Sequence, residues 1–332
     1  MEAPRIRKFG TFLREIFGRR VHKVGLVGGF TCPNRDGSLG TGGCSFCNPA
    51  SSLPAGYRGG SDFRRQLEKG CRHVSKRFGV SLFLPYFQDY TTTYGDPEEL
   101  ERMYESVLSC PGVVGISLCT RPDCLDDGVL DVLERLSRKT FLLVELGVQT
   151  FDERLLADMN RLHTAGDTLD ALERLRDRSI FTAAHMILGY PGHTVETAVG
   201  DAAILREAGI GGVKLQNFHV VKGTAMAKRY AEGGFEALDQ NAYVEMAVSF
   251  LEETDPRAVI LRLNGSAPAR LTVAPEWSTD SRATTAGIEA ALEALDTWQG
   301  RKTGASREDV SGAPDAGFHP VLRTIAEGTP PE

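Results

Sequence analysis

No apolar run in this chain approaches the roughly 20 residues that a membrane-spanning helix needs. The basic N-terminus (Met1-Glu2-Ala3-Pro4-Arg5-Ile6-Arg7-Lys8) has no apolar stretch behind it of the kind that marks a secretory signal or lipid anchor. The expectation is a cytoplasmic protein with no membrane association. Several familiar catalytic signatures are missing too. No G-x-G-x-x-G follows a strand-like run, and the absence of a P-loop, G-x-S-x-G or H-E-x-x-H leaves a hydrolase or aldolase-like reading without support. Cysteine is sparse, seven in 332 residues, which excludes a disulfide-stapled miniprotein. In a reducing compartment its spacing is read for metal binding or catalysis. What remains is an ordinary globular composition, 41% hydrophobic and 25% charged, which excludes a disordered chain or a collagen.

The net charge of −6 hides an asymmetry. Residues 1–78 carry 15 Lys and Arg against 5 Asp and Glu, and the remainder carries 23 against 39. A front quarter at +10 fits either an anion-facing surface, for phosphate or nucleic acid, or the solvated faces of two helices, the commoner cause of such a pattern.

Apolar, β-branched runs alternate with helix-like segments. Strands are expected at 24–30, 80–87, 113–119, 141–149, 181–188 and 213–218, and helices at 61–78, 96–109, 126–138, 165–178, 194–208 and 239–253. Six βα units in series imply a parallel sheet with helices outside, as an open doubly wound sheet or a curled partial barrel. The division expected is a basic N-terminal segment at 1–23, a core at 24–255, a C-terminal cap at 256–300 with one strand (258–263) and one helix (280–298), and a loose Gly- and Pro-rich tail at 301–332.

Three cysteines, Cys32, Cys44 and Cys47, fall within sixteen residues, and the Cys44/Cys47 spacing lets two sulfurs reach one centre. Cys71, Cys110, Cys119 and Cys124 are scattered and read as buried thiols. Spacing alone leaves two centres open. One is a zinc site completed by His22 or His73, in a scaffold that would bind nucleic acid through its basic front quarter. The other is a [4Fe-4S] cluster on three thiolates, with one iron left for a substrate or cofactor.

The surrounding residues carry a resemblance. Gly28-Gly29-Phe30-Thr31-Cys32-Pro33-Asn34-Arg35-Asp36-Gly37 and Gly42-Gly43-Cys44-Ser45-Phe46-Cys47-Asn48 closely resemble the YhcC-like radical S-adenosylmethionine (SAM) proteins. The likeness continues through Tyr86-Phe87-Gln88-Asp89-Tyr90, Thr120-Arg121-Pro122-Asp123-Cys124, Glu145-Leu146-Gly147-Val148-Gln149-Thr150, Asn160-Arg161-Leu162-His163, Leu188-Gly189-Tyr190-Pro191-Gly192 and Val221-Lys222-Gly223-Thr224. It covers residues 9–280 in order. The resemblance implies a partial (β/α)6 barrel of radical SAM type with a short C-terminal extension. It also implies a [4Fe-4S] cluster on Cys32, Cys44 and Cys47, SAM on the open iron, cleavage of SAM to a 5′-deoxyadenosyl radical, and an external electron donor of flavodoxin or ferredoxin type. The eleven residues between Cys32 and Cys44 depart from the commonest Cys-x3-Cys-x2-Cys spacing, as they also do in the related Elongator catalytic subunit. That relation and the basic front quarter suggest tRNA or another phosphorylated molecule as substrate.

Strand parity places Glu145, Gly147 and Gln149 on one face of the fourth strand. By similarity to oxygen-independent coproporphyrinogen dehydrogenase, Gln149 would contact SAM and Arg161 would pair with its carboxylate, a role the guanidinium fork suits. His185 would occupy the position of an acidic SAM contact. Gly189 belongs to the turn that lets adenine approach the backbone, Phe46 would pack near adenine, and Gln88 stands where relatives hold the SAM amino group with Gly-Gly-Glu. In Asn160-Arg161-Leu162-His163 a leucine replaces the family's glycine. Tyr90, Tyr94, Arg121, Asp123, Lys214 and Lys222 sit at expected strand ends, facing substrate or supporting other groups.

Overall fold

The computed structural model describes residues 2–51 and 62–310. The expected alternation is present. Strands β1 (Val21–Leu26), β2 (Leu82–Phe87), β3 (Gly115–Thr120), β4 (Phe141–Gln149), β5 (Phe181–Leu188) and β6 (Gly212–Asn217) lie side by side in chain order, all parallel. The crossovers are carried by helices after α1 (Phe9–Phe17): α2 (Phe63–Phe78), α3 (Pro97–Leu108), α4 (Asp127–Lys139), α5 (Glu153–Asp158) with α6 (Ala165–Asp177), and α7 (Val195–Glu207). Each begins where a short polar side chain accepts the otherwise unpaired N–H groups of the first turn. Asp62, Asp96, Asp126, Asp152, Thr164 and Thr194 all do so, and Thr164 with Asp167 forms a reciprocal capping box.

Parity decides which side chains enter the barrel. Leu142, Val144, Leu146 and Val148 of β4 point outward and join Ile116, Leu118, Ala184, Met186, Val213 and Leu215 under the helices. The opposite parity lines the lumen in layers. At its base Leu84, Phe141, Leu143, Phe181 and Ala183 close around Phe12, Leu13 and Ile16 of α1, so this helix plugs the barrel bottom. Phe12 lies 5.3 Å from Phe181, ring centre to ring centre. Above the plug the lumen turns polar, and the strand ends above that layer form the mouth.

Three boundaries differ from expectation. Residues 258–263, assigned to the cap, supply strand β8 (Val259–Arg262), which follows β7 (Val220–Val221) in the chain and adds a seventh parallel strand beside β6. Residue 255 is therefore not the edge of the barrel. The N-terminal segment 1–23 is likewise part of the barrel, through α1 and the first residues of β1. The tail begins later than 301, because Val310 is buried and the Trp298 indole donates to the Ala305 carbonyl at 3.1 Å. The remainder of the expected tail, 311–332, lies outside the described residues. Helices α8 (Ala225–Ala231) and α9 (Gln240–Glu253), the short strand β9 (Thr272–Ala274) that pairs antiparallel with β7, and α10 (Ser281–Ala294) complete the C-terminal half. Among the described residues no helix is long and apolar enough to cross a membrane.

Candidate active site at the barrel mouth

Cys32, Cys44 and Cys47 stand on the loop that leaves the C-terminal end of β1, all partly accessible. The loop is folded on its own backbone. Cys32 O accepts from Arg35 N and Asp36 N, Cys44 O from Cys47 N, and Asn34 O from Gly43 N. Two amides then clamp it to the segment after α5. Asn34 Nδ2 donates to Asn160 O at 2.6 Å and Asn160 Nδ2 donates to Gly43 O at 2.8 Å. Gly43 has φ +73, and a Cβ there would lie 2.7 Å from the Arg35 guanidinium, so only glycine lets that side chain cross and donate to Cys47 O at 2.7 Å.

Arg161 reaches the same loop from below. Its Nη1 donates to Cys44 Sγ at 3.3 Å and its Nη2 to Gly147 O on β4 at 2.6 Å, while its buried Nε has no partner. Arg121 is held by Asp123 through two hydrogen bonds of 2.9 and 2.7 Å and donates to Arg161 O at 2.8 Å, so this pair supports Arg161. His163 is buried beside both guanidiniums, and burial together with Arg161 and Arg121 pushes it down to about 2, which keeps it neutral. Gln149 ends β4 at φ +76 and folds its amide over Gly147, next to Arg161. Burial and neighbouring Cys44 push the Cys47 thiol up, and Arg35 and Arg161 oppose them.

The family's glycine position resolves simply. Leu162 takes the left-handed backbone itself, at φ +57, directly after Asn160 at φ +53 and Arg161. Left-handed leucine costs about 1–2 kcal/mol, and glycine's extra unfolded-state freedom returns about 0.5–1 of that. Leu162→Gly is accordingly expected to stabilise by about 0.5–1 kcal/mol in urea unfolding. A loss instead would mean that the leucine side chain, half-exposed over Gly40, holds the loop.

The arrangement bears on the zinc reading. Tetrahedral zinc with bonds of about 2.3 Å brings its sulfurs to about 3.8 Å from one another. Cys32, Cys44 and Cys47 are not so placed: among the described residues the one trio whose ligand atoms all lie within 4.8 Å is Cys119, Glu145 and His185. The proposed fourth zinc ligands are elsewhere. His22 is at the start of β1, the opposite end of that strand, packed edge-on at 4.8 Å against Phe78, and His73 is exposed on α2. Three guanidiniums, Arg35, Arg121 and Arg161, lie near the three cysteines, placed to offset thiolate charge.

Not every expected cofactor residue is gathered with the cysteines. Phe46 packs against the apolar cluster that contains Tyr190, Phe218 and Met226. Gly189 follows β5 at φ +78, under Leu238, with its N–H donating to His193 Nδ1. Gln88 lies across Gly25 of β1. His185 sits deeper, with Nε2 2.6 Å from Glu145 Oε2. Of the residues expected at strand ends, Tyr94 bonds Ser38 at 2.7 Å, Lys222 accepts at its carbonyl from Asn48, and Tyr90 is exposed.

Sequence reasoning missed the layer to which His185 belongs. Glu145 is fully buried and receives Ser117 Oγ at 2.6 Å, Lys214 Nζ at 2.6 Å, Tyr86 OH at 3.3 Å, and the Lys23 ammonium. Tyr86 OH also meets Cys119 Sγ at 2.9 Å. Side chains from β1 to β6 converge on one carboxylate, which only a curled sheet allows. Burial raises the Glu145 carboxyl, but Lys214, Lys23 and His185 outweigh it and hold it well below the usual range. Burial and Lys214 push His185 down to about 4 against the pull of Glu145. The parity that turned Glu145 inward, applied to Lys23, Tyr86, Ser117 and Cys119, is the signal that would have found this layer.

Comparison with known proteins agrees with this geometry. Residues 31–203 match the family described as the radical SAM superfamily, and residues 210–294 match the radical SAM C-terminal domain. The chain is 36% identical to the uncharacterized protein YtqA of Bacillus subtilis, over 87% of this chain and 90% of that one. It is 34% identical to protein YhcC of Escherichia coli, over 82% and 87%. Among solved structures, the archaeal Elp3 of Methanocaldococcus infernus, lacking its N-terminus, superposes with a TM-score of 0.62 at 16% identity. That match covers 84% of this chain and 64% of that one, and it speaks for the fold.

Proposed function

The chain belongs to the radical SAM superfamily, in its YhcC-like branch, and from that premise we propose that Cys32, Cys44 and Cys47 hold the cluster at the mouth of the barrel. Membership brings two cofactors, a [4Fe-4S] cluster and SAM. Cys32, Cys44 and Cys47 would hold the cluster, which, reduced by an external donor of flavodoxin or ferredoxin type, would supply the electron for reductive cleavage of SAM to methionine and a 5′-deoxyadenosyl radical. The observation that carries the assignment is the placement of Arg35, Arg121 and Arg161 beside Cys32, Cys44 and Cys47.

The protein's own residues do the positioning. The Asn34 and Asn160 amides fix the cysteine loop, Arg161 ties Cys44 to β4, and the buried Arg161 Nε is a donor available to a carboxylate such as that of SAM. Gln149 at the end of β4, Gln88, Phe46 and Gly189 complete the rim around SAM, with His185 on Glu145 as part of the floor. Helix α5, whose end leads into Asn160 and Arg161, sets the rim's height. Removing its cap by Asp152→Ala is expected to cost about 1 kcal/mol and to lower SAM affinity with little change in iron content.

The test is anaerobic reconstitution with iron and sulfide, then iron counting and assay of 5′-deoxyadenosine after reduction. About four irons per chain and reductant-dependent SAM cleavage are expected. A colourless protein that holds one zinc and leaves SAM intact would overturn the proposal.

The substrate proposed is a phosphorylated molecule, with tRNA the first to try. Arg64, Arg65, Lys69, Arg72, Lys76 and Arg77 are exposed on α2, and among the described residues the only ion pair on that face is Arg64 with Glu68, at 3.4 Å. Arg20 and Arg77 stack on the exposed Phe78 ring at 5.6 and 5.0 Å. Labelled tRNA should bind with a steep salt dependence that weakens in Arg72→Gln/Lys76→Gln. Absent or salt-insensitive binding would remove tRNA.

A further inference from the structure

The polar layer in the lumen carries more positive charge than its one carboxylate can offset. Lys23 from β1 and Lys214 from β6 both bond Glu145, and Arg262 of β8 pairs in register with Lys214. Arg262 Nη2 donates to Gln216 Oε1 at 3.0 Å, its buried Nε has no partner, and no carboxylate among the described residues pairs with it. Gln216 in turn approaches the His185 ring at 3.5 Å, which links Arg262 to the Glu145 network. With His185, Tyr86 and Cys119 neutral, the layer holds three cations against one anion.

That balance selects the kind of group the lumen accepts. Cys119, Glu145 and His185 have the spacing to ligate a metal ion, but both Glu145 oxygens already face ammonium groups, and a divalent cation would meet two more positive charges than negative. Unneutralised charge inside a protein is costly, and an incoming anion removes that cost. Donors are also left over. Lys23 has N–H groups beyond its one bond to Glu145, and Arg262 keeps Nε. Water reaches the site from the mouth: the Lys23, His185 and Lys214 side chains retain 23%, 13% and 10% of their exposure, and Gly25, facing the lumen one step higher on β1, is exposed. From the level of Glu145 to that of Gln149 is four residues of strand, about 13 Å along β4.

We propose that Lys23, Lys214 and Arg262 form a subsite for an anionic group, a carboxylate or a phosphate, of the small molecule or terminal moiety that enters the barrel. The proposal deepens the radical SAM reading and rests on it for calling that molecule a substrate. Glu145 is then a positioning residue: it holds the two ammonium groups at one level and leaves their outer N–H groups to the ligand.

The probes are inorganic phosphate and acetate, each radiolabelled, in equilibrium dialysis against the reconstituted protein at constant ionic strength. About one anion should bind per chain, with affinity reduced about tenfold in Arg262→Gln and in Lys23→Gln, the loss of one charge-assisted hydrogen bond. Lys23→Gln, at the more accessible position, keeps the test decisive if the Arg262 variant misfolds. Phosphate or acetate as the tighter ligand names the group, and either supports the proposal. Three results overturn it: no saturable binding, affinity unchanged in both folded variants, or anion displaced one-for-one by SAM, which would make the site part of the SAM subsite. Iron counting on the same samples separates the failures. Full iron with no anion binding sinks this subsite alone, whereas anion binding through Arg262 without iron sinks the cluster assignment.

Discussion

Cys44→Ala should leave the chain folded, colourless and unable to cleave SAM. The Cys44 sulfur accepts from Arg161 Nη1 at 3.3 Å and from Asn34 Nδ2 at 3.7 Å. Its backbone is pinned independently, since Cys44 O accepts from Cys47 N and the neighbouring Ser45 N donates to Met159 O. The loop therefore does not need the thiol to keep its path, and the loss should be local. Two thiolates do not hold a cluster that ordinarily needs three or four. Iron retained after reconstitution should fall to background and 5′-deoxyadenosine with it, while far-UV circular dichroism and the urea midpoint stay near wild type. Full iron in Cys44→Ala would move the cluster to other ligands. Cys71→Ala, on α2 and away from the mouth, is the matched control and should keep iron and activity.

The largest effect on stability is expected at Glu145. Glu145→Ala removes the only carboxylate of the polar layer among the described residues and leaves Lys23 and Lys214 without their shared partner. Breaking one side of a buried ion pair typically costs about 3–5 kcal/mol, because the surviving charges keep their desolvation cost without their partner. Glu145→Ala with Lys214→Met should recover a large part of that loss, and a double variant no better than the single would show that the charges were not the cause.

The same layer sets the response to acid. Glu145, held below the usual carboxylate range, contributes stability that is present above the unfolded-state value near 4.5 and lost as pH falls through its folded value. His185, pushed down to about 4, stays neutral while the unfolded chain takes up a proton below about 6.5. Both terms lower stability on acidification, and the histidine term comes first, at up to about 1.4 kcal/mol per pH unit between those two values. His185→Gln should remove about one proton from the slope of unfolding free energy against pH between 6.5 and 4. An unchanged slope would place the titration on other groups.

The local sequence determined the elements and the path of the cysteine loop. Strands at 141–149 and 181–188 coincide with β4 and β5, because apolar runs bounded by N-caps and turns leave little choice of where a strand ends. The cysteine spacing and its glycines were legible because both ligands and tight turns are fixed by short-range geometry. Helix α1 was not among the helices assigned from the sequence. Its apolar face has meaning only once β2, β4 and β5 curl to present Leu84, Leu143 and Phe181 to it. Residues 258–263 read as a cap strand for a related reason: which sheet a strand joins is a long-range pairing, here with β6, that no local pattern records.

Tertiary structure alone decided the site's two levels. His185 and Arg161 both read as cofactor contacts from the resemblance to oxygen-independent coproporphyrinogen dehydrogenase. Curling the sheet separated them, sending Arg161 up to Cys44 and His185 down to Glu145, whose other partners come from β1, β2, β3 and β6. Parity gives the face a side chain takes, but which strands share one lumen, and at what height each side chain enters it, follows from stagger and curvature. Those are properties of the curled sheet and not of any strand within it.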